Sequence, residues 1–388
     1  MSRWNEFIQE ESEHQWLSFA VFALVIISGG IMIDWSNELS GVKLGAEDLL
    51  DNVEDDAMII DISGDAILYE KDDGRHIYLT DTEENVASPY ATCLESYRGV
   101  TYACEGISGE ISVNSADIDG WSPMMLSQDL TVIDVSGNGD DLLMIVQDGT
   151  STSLASMRLD QASSTKSVSA VTINDGDMQL DVMQSTDEGW LVAGGWKAPI
   201  NFVGLNGTNS PPIYELIIEV TLDTEGTPLI EVLYLGGEGA IHSIMPAGDG
   251  FIAAGTVDSV YIEEKETTNL GVASKSATVD KRGDIWFFGD IGSENVAIYS
   301  DGEISVEKLP EPLHIMPMYS YTDSTGTIAI HGSDASQEMG SLSIDTDARK
   351  SFTSLRGMMD FAFIMVSLMI LSLMLWNIAD SIKTGEVF

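Results

Sequence analysis

The chain has 388 residues, with 63 acidic side chains against 17 basic ones, and a formal charge of −46. A surface so negative repels nucleic acid and anionic headgroups, which excludes nucleic-acid binding; it gathers cations or meets a basic partner instead. The acids are spread along the chain rather than blocked, the pattern of a hydrated acidic surface in a salty medium.

In chain order, a short acidic tail (1–15) precedes an uncharged apolar run, Trp16 to Ile33. That run is about as long as a bilayer core requires and reads as a transmembrane helix. Its leading segment is acidic, and no small-residue cleavage site follows, so it reads as a retained anchor rather than a signal peptide. Residues 34–56 read as a connector with one short helix over AEDLLDNV. A second uncharged run, Phe361 to Ile378, reads as another transmembrane helix, between a connector (351–360) and a short tail (379–388). Trp16, Trp35 and Trp376 suit the headgroup level.

Two crossings place both termini on one side and residues 57–350 on the other. Counting Lys43, Arg349, Lys350 and Arg356 against Arg3 and Lys383 favours a cytoplasmic middle, but the rule weakens for long translocated domains. The two cysteines weigh the other way. Cys93 and Cys104 flank Arg98-Gly99, which reads as a hairpin turn and sets the cysteines opposite each other on neighbouring strands. A disulfide there, rather than two buried thiols, implies an oxidising compartment. The expectation is therefore a two-pass cell-membrane protein with cytoplasmic termini and an extracytoplasmic middle.

From about Asp56 the pattern is short apolar or alternating runs, broken every eight to twelve residues by Gly, Asp, Asn and Ser. This predicts an all-β domain. The runs repeat. QSTDEGWLVAGGW (Gln184 to Trp196) and MPAGDGFIAAGTV (Met245 to Val257) share a polar turn, a glycine, four mostly apolar residues and a second glycine. Looser copies carry Gly283 and Gly289, Gly326 and Gly332, the strand Leu142 to Val146, and Ser63 to Gly74. The spacing averages near the roughly 40–45 residues of a propeller blade, which gives about six to eight blades, with seven favoured. A blade cannot bury both faces alone, so blades stack until the ring closes.

These glycine-bounded strands resemble the repeats of bacterial and archaeal β-propellers in the broad quinoprotein-like and kelch-like group. The resemblance implies a shape that hosts many functions. One insertion interrupts the pattern, Lys197 to Ile213, rich in proline and asparagine; such loops carry recognition or are tolerated surface.

Two constellations carry possible chemistry. Asp134, Ser136, Asn138, Asp140 and Asp141 alternate oxygen ligands around glycines, as a hard-cation loop does, and Asp61-Ile-Ser63-Gly-Asp65 is a shorter echo. The segment resembles the FG-GAP calcium repeat, with Ser136 in place of an aspartate and the closing aspartate one residue early. Calcium is the cofactor it would take; a plain Asp/Asn/Gly turn is the alternative.

The second constellation is the central funnel. Asp181 lies eight residues before Gly189, and His242 eight before Gly250. Both then belong to innermost strands facing the axis, and His314 is the candidate in its blade. A carboxylate and two imidazoles around one channel could bind a ligand or metal, or do acid–base work. No nucleophile elbow, zinc-protease motif or P-loop is present. The reading is a membrane-anchored extracytoplasmic propeller that binds or scaffolds a protein partner or small ligand. One alternative is a propeller hydrolase or quinone-dependent dehydrogenase with its site in the funnel, which requires Asp181, His242 and His314 to converge. The other is a calcium-dependent adhesion module.

Overall fold

The computed structural model describes residues 22–29, 31, 44–45, 57–346 and 363–372, apart from 81, 107–108, 116–119, 127, 150, 160–165, 169–175, 200–210 and 324. Among these residues the chain forms seven four-stranded sheets, a seven-bladed β-propeller. The innermost strands of blades 1 to 7 are Met58–Ser63, Ala91–Tyr97, Thr131–Asn138, Asp177–Ser185, Ile241–Ala247, Ser276–Val279 and Met316–Thr322. Each innermost strand packs against the next, and that of blade 7 packs against that of blade 1, so the ring is closed.

Closure uses a strand from the N-terminal side. Leu44–Gly45 is the outermost strand of blade 7, pairing Leu44 with Ile344 and Gly45 with Ser343. The Ser343 hydroxyl donates to the Gly45 carbonyl at 3.0 Å. Residues 44–45 thus belong to the propeller, although the sequence pattern groups them with the connector. The helix expected over AEDLLDNV lies outside the described residues, as does most of the Lys197 to Ile213 insertion.

Every repeat copy read from the sequence is the second strand of a blade with its preceding turn: Ala66–Lys71, Asp141–Asp148, Trp190–Lys197, Gly250–Gly255, Ile285–Phe288 and Thr327–Ser333. The cysteine hairpin supplies the missing copy, Val100–Glu105 in blade 2. Second strands are sandwiched between neighbouring blades. This is why they read as near-continuous apolar runs: all of Trp190 to Trp196 is buried. The hydrophobic clusters lie accordingly between blades. One joins Cys104 and Ile111 of blade 2 to Val135 and Met144 of blade 3; the next joins Leu143 and Leu154 to Trp190 and Leu216.

The Arg98-Gly99 turn has positive φ at both residues, 52° and 75°, the two-residue turn that suits twisted strands. It sets Cys93 opposite Cys104, with Cα atoms 5.1 Å apart, and the two are disulfide-bonded.

The terminal runs are described only in part, as helix over 22–29 and 363–372. Among the described residues no helix is long and apolar enough to cross a membrane. The two helical pieces touch: a Cβ on Gly29 would collide with the Phe363 ring. Leu24, Ile27 and Ile31 on one side, and Ile364, Leu368 and Met369 on the other, are exposed.

Candidate functional site

The inner strands of six blades carry the same defect. In blades 1, 2, 3, 4, 5 and 7 the pairing with the second strand skips one residue: Ile60, Thr92, Ile133, Asp181, His242 and Met318. A β-bulge leaves its extra residue unpaired, bends the strand and re-aims side chains. Here both the bulged residue and its successor line one cavity at the propeller axis, of about 460 Å³. Two of the repeat's second glycines have their reason here. Gly194 and Gly332 pair with the residues just before bulges, and a Cβ there would run into the carbonyls of Gln179 and Met316.

The successors to the bulged residues are mostly occupied with joining blades. Asp61 Oδ1 accepts the amide of Ile62 at 2.8 Å, and Oδ2 accepts the amide of Leu94, in blade 2, at 2.7 Å. Asp134 repeats the arrangement one pair of blades on. It accepts the Val135 amide at 2.9 Å and the amide of Met183, in blade 4. Tyr319, the equivalent in blade 7, reaches across the closure of the ring: its hydroxyl accepts from the Ile62 amide at 3.1 Å and lies 3.4 Å from Asp61 Oδ1. Cys93 holds this position in blade 2, Val182 in blade 4 and Ser243 in blade 5.

Burial sets the protonation of this wall. Desolvation pushes the Asp61 carboxyl up to about 6 against the pull of its amide donors, and Asp134 rises well above its ordinary range for the same reason, with the Asp61 charge adding to it. Glu95, two residues beyond Cys93, is pushed to about 7 by desolvation and the neighbouring Asp61. It accepts from the Gly137 amide of blade 3 at 3.4 Å. Sequence reasoning missed Glu95 and Tyr319, which sit in no motif. Asp61 was visible only as the calcium echo.

The structure places Asp181 and His242 at equivalent bulges of blades 4 and 5, both lining the cavity. They differ in how they are satisfied. His242 is enclosed: Nε2 bonds the Ser274 carbonyl at 3.2 Å, and Nδ1 lies 2.9 Å from the Ser243 hydroxyl. Desolvation lowers its pKa to about 4, so the ring is neutral at physiological pH. Asp181 has no hydrogen-bond or ion-pair partner among the described residues. Its side chain is exposed into the cavity, yet the surrounding walls still raise its carboxyl by desolvation. His314 does not join them. It is exposed and lies in the segment before the inner strand of blade 7, because that strand begins only at Met316. The three residues of the enzyme alternative therefore do not converge.

The calcium constellation is also spread out. Asp134, Ser136 and Asn138 alternate along one extended inner strand, and Asp140 and Asp141 lie at its end. At about 3.3 Å per residue, Asp134 and Asp140 are roughly 20 Å apart along the chain. The Asn138 amide donates to the carbonyls of Thr186 and Gly189, both at 2.8 Å, and Asp140 pairs with Arg98 at 2.9 Å. Among the described residues no three His, Cys, Asp or Glu side chains are placed to hold one metal ion.

The sequence matches no protein-family profile and no curated protein. Solved structures share the fold. A streptogramin B lyase superposes with a TM-score of 0.50 at 14% identity, covering 78% of this chain and 98% of the lyase. A puromycin hydrolase mutant, S511A, complexed with PGG superposes with a TM-score of 0.51 at 11% identity, covering 77% of this chain and 53% of the hydrolase. At such identities the likeness is one of fold, a propeller ring, and carries no activity across.

Proposed function

We propose that this chain is a membrane-tethered binding module that receives a small ligand in the axial cavity of its propeller, on the extracytoplasmic side. The observation that carries the reading is the cavity itself. Six equivalent bulges turn side chains from six blades into one space, within the roughly 300–1,000 Å³ usual for small-molecule sites. Its lining alternates apolar residues (Ile60, Ile133, Val182, Met245) with convergent polar ones.

Three further observations support the tether and its orientation. The uncharged runs at 16–33 and 361–378 are each about as long as a bilayer core requires. Their helical pieces meet at Gly29 and Phe363, a small residue allowing close approach, while their outer faces expose leucine, isoleucine and methionine. The Cys93–Cys104 disulfide fits an oxidising compartment.

Carbonate extraction and protease protection of sealed membranes test the reading. The chain should stay in the carbonate-washed pellet, and the propeller should be cleaved only from the extracytoplasmic side. Release by carbonate would overturn the tether, and cleavage only from the cytoplasmic side would reverse the orientation. Ligand entry is tested by filling the cavity with Ser243→Trp, which should abolish small-molecule binding without unfolding the ring.

A further inference from the structure

Among the described residues the cavity is bounded by three carboxyl groups and one imidazole, and by no lysine or arginine. Two of the carboxyls are spoken for. Asp61 and Asp134 each accept two backbone amides, one of them from the neighbouring blade, so their first task is to hold the ring together. His242 is neutral and bonded on both ring nitrogens. Asp181 is different. It is the extra residue of its bulge, it is turned into the cavity, and nothing among the described residues pairs with it.

An unpaired carboxylate in a partly desolvated space is costly unless a counter-charge joins it. The described lining supplies none, which leaves the counter-charge to the ligand. A divalent metal fits poorly, since among the described residues no three metal-ligating side chains gather there. The remaining lining favours an organic cation: Ile133, Val182, Met245 and Met318 offer contact for a hydrocarbon frame, and Ser276 and Thr278 offer hydroxyls.

We propose that the axial cavity takes a small molecule bearing a protonated amine, with Asp181 as its counter-ion and the apolar lining of blades 3, 4, 5 and 7 around its hydrocarbon part. This rests on the reading of the cavity as a ligand site and adds the class of ligand.

The test uses the full-length chain in detergent micelles at about 150 mM salt, where surface attraction by the acidic exterior is screened over ~8 Å. The probes are butylamine, cyclohexylmethylamine and phenethylamine, each beside its matched alcohol and carboxylate. Binding is read by calorimetry and by the shift in melting temperature. At least one amine should bind about tenfold or more tighter than its alcohol, the effect of ~1.4 kcal/mol of charge pairing. Asp181→Asn, which removes no internal hydrogen bond, should erase that gap. Ser243→Trp should abolish binding of all probes.

If alcohols bind as well as amines, or Asp181→Asn keeps the preference, the cation assignment is wrong while the cavity remains a ligand site. If no probe of any frame binds, or if Ser243→Trp leaves binding intact, both the assignment and the cavity reading fall.

Discussion

The two sides of the axial cavity use the same side chain for opposite ends, and a shift of one residue makes the difference. In blades 1 and 3 the aspartate follows the bulge; in blade 4 it is the bulge. The residue after a bulge rejoins the pairing and points where it meets the next blade's amide, so Asp61 and Asp134 become latches. The bulged residue itself has no ladder partner, so Asp181 is left facing the cavity. Blade 4, with Val182 in the latch position, joins blade 5 by another route. Glu215 on its third strand is fully buried, and its Oε1 accepts the Val257 and Asp258 amides at 2.9 and 3.1 Å. The local position of a carboxylate within the bulge therefore decides between a latch joining two blades and a side chain left open to the cavity.

The largest way to break this comparison is to remove a latch. Asp61→Ala leaves the amide of the buried residue Leu94 without its acceptor, which should cost about 2–3 kcal/mol. Asp181→Ala should change stability by less than about 0.5 kcal/mol, since no contact is lost. Both are measured by denaturant unfolding at pH 5, where Asp61 is mostly protonated in the fold and relief of its charge does not mask the lost acceptor. Equal costs would erase the distinction between the two positions.

The second prediction concerns charge on the latch wall. The folded state holds the proton of Glu95 up to about pH 7, while the unfolded chain releases it near 4.5. This group's contribution is therefore full below about pH 4.5 and is lost as pH rises through about 7. Glu95→Gln should raise stability at pH 8 by up to about 3 kcal/mol and leave it nearly unchanged at pH 4. A variant equally stabilised at both pH values would show that burial, not ionisation, sets the effect.

How far the sequence shows this division depends on which strand carries the signal. Second strands are buried on both faces and end in glycines, so their repeats stand out, and their spacing gives about six to eight blades with seven favoured, of which the fold has seven. The same spacing reaches back to Asp181 and His242. It fails for His314, because blade 7 has a longer segment before its glycine turn and its inner strand starts two residues past the histidine. The bulges are invisible in sequence: an extra residue does not disturb a pattern that is only half apolar to begin with. The Asp-x-Ser-Gly echo between Asp61 and Asp134 is a true internal repeat, but latch and calcium loop share a composition. Only the extended backbone, which spreads the oxygens along a strand, separates them. Glu95 and Tyr319 act between blades far apart in sequence, and no local motif marks such a contact.

A third, smaller effect sharpens the comparison at blade 2, where Cys93 stands in the latch position. It bonds Cys104 within its own blade, while Thr92 Oγ1, at the bulge, makes one of the joins to blade 3 by donating to the Val132 carbonyl at 2.8 Å. Replacing both cysteines by alanine should cost about 2 kcal/mol, because the crosslink closes a short loop. Thr92→Val should cost about 1 kcal/mol through the lost hydrogen bond. If the two losses simply add in the triple variant, the crosslink and the blade joint are independent, and blade 2 has divided between two residues what Asp61 does alone. If they are strongly non-additive, the disulfide holds Thr92 in place and Cys93 is a latch after all.

The smallest expected effect is on the free acid. Asp181→Asn relieves the desolvation of the ionised carboxyl, so it should raise the melting temperature of the ligand-free chain slightly at neutral pH and not in acid, and its main signature should lie in the pH dependence of amine binding. The raised carboxyl of Asp181 must be ionised to pair with an ammonium group, so wild-type affinity should fall as the medium is acidified through its pKa. The other titrating groups around the cavity are Asp61, Asp134, His242 and Tyr319. Asp61 titrates near 6, while His242 stays neutral until about 4. Measuring the affinity of phenethylamine from pH 4.5 to 8 in wild type, Asp181→Asn and Asp61→Asn separates them. Loss of the pH dependence in Asp181→Asn alone assigns the counter-ion to the bulge. Loss in Asp61→Asn alone would move it to the latch wall, and the one-residue distinction between latch and site would fail where it matters most.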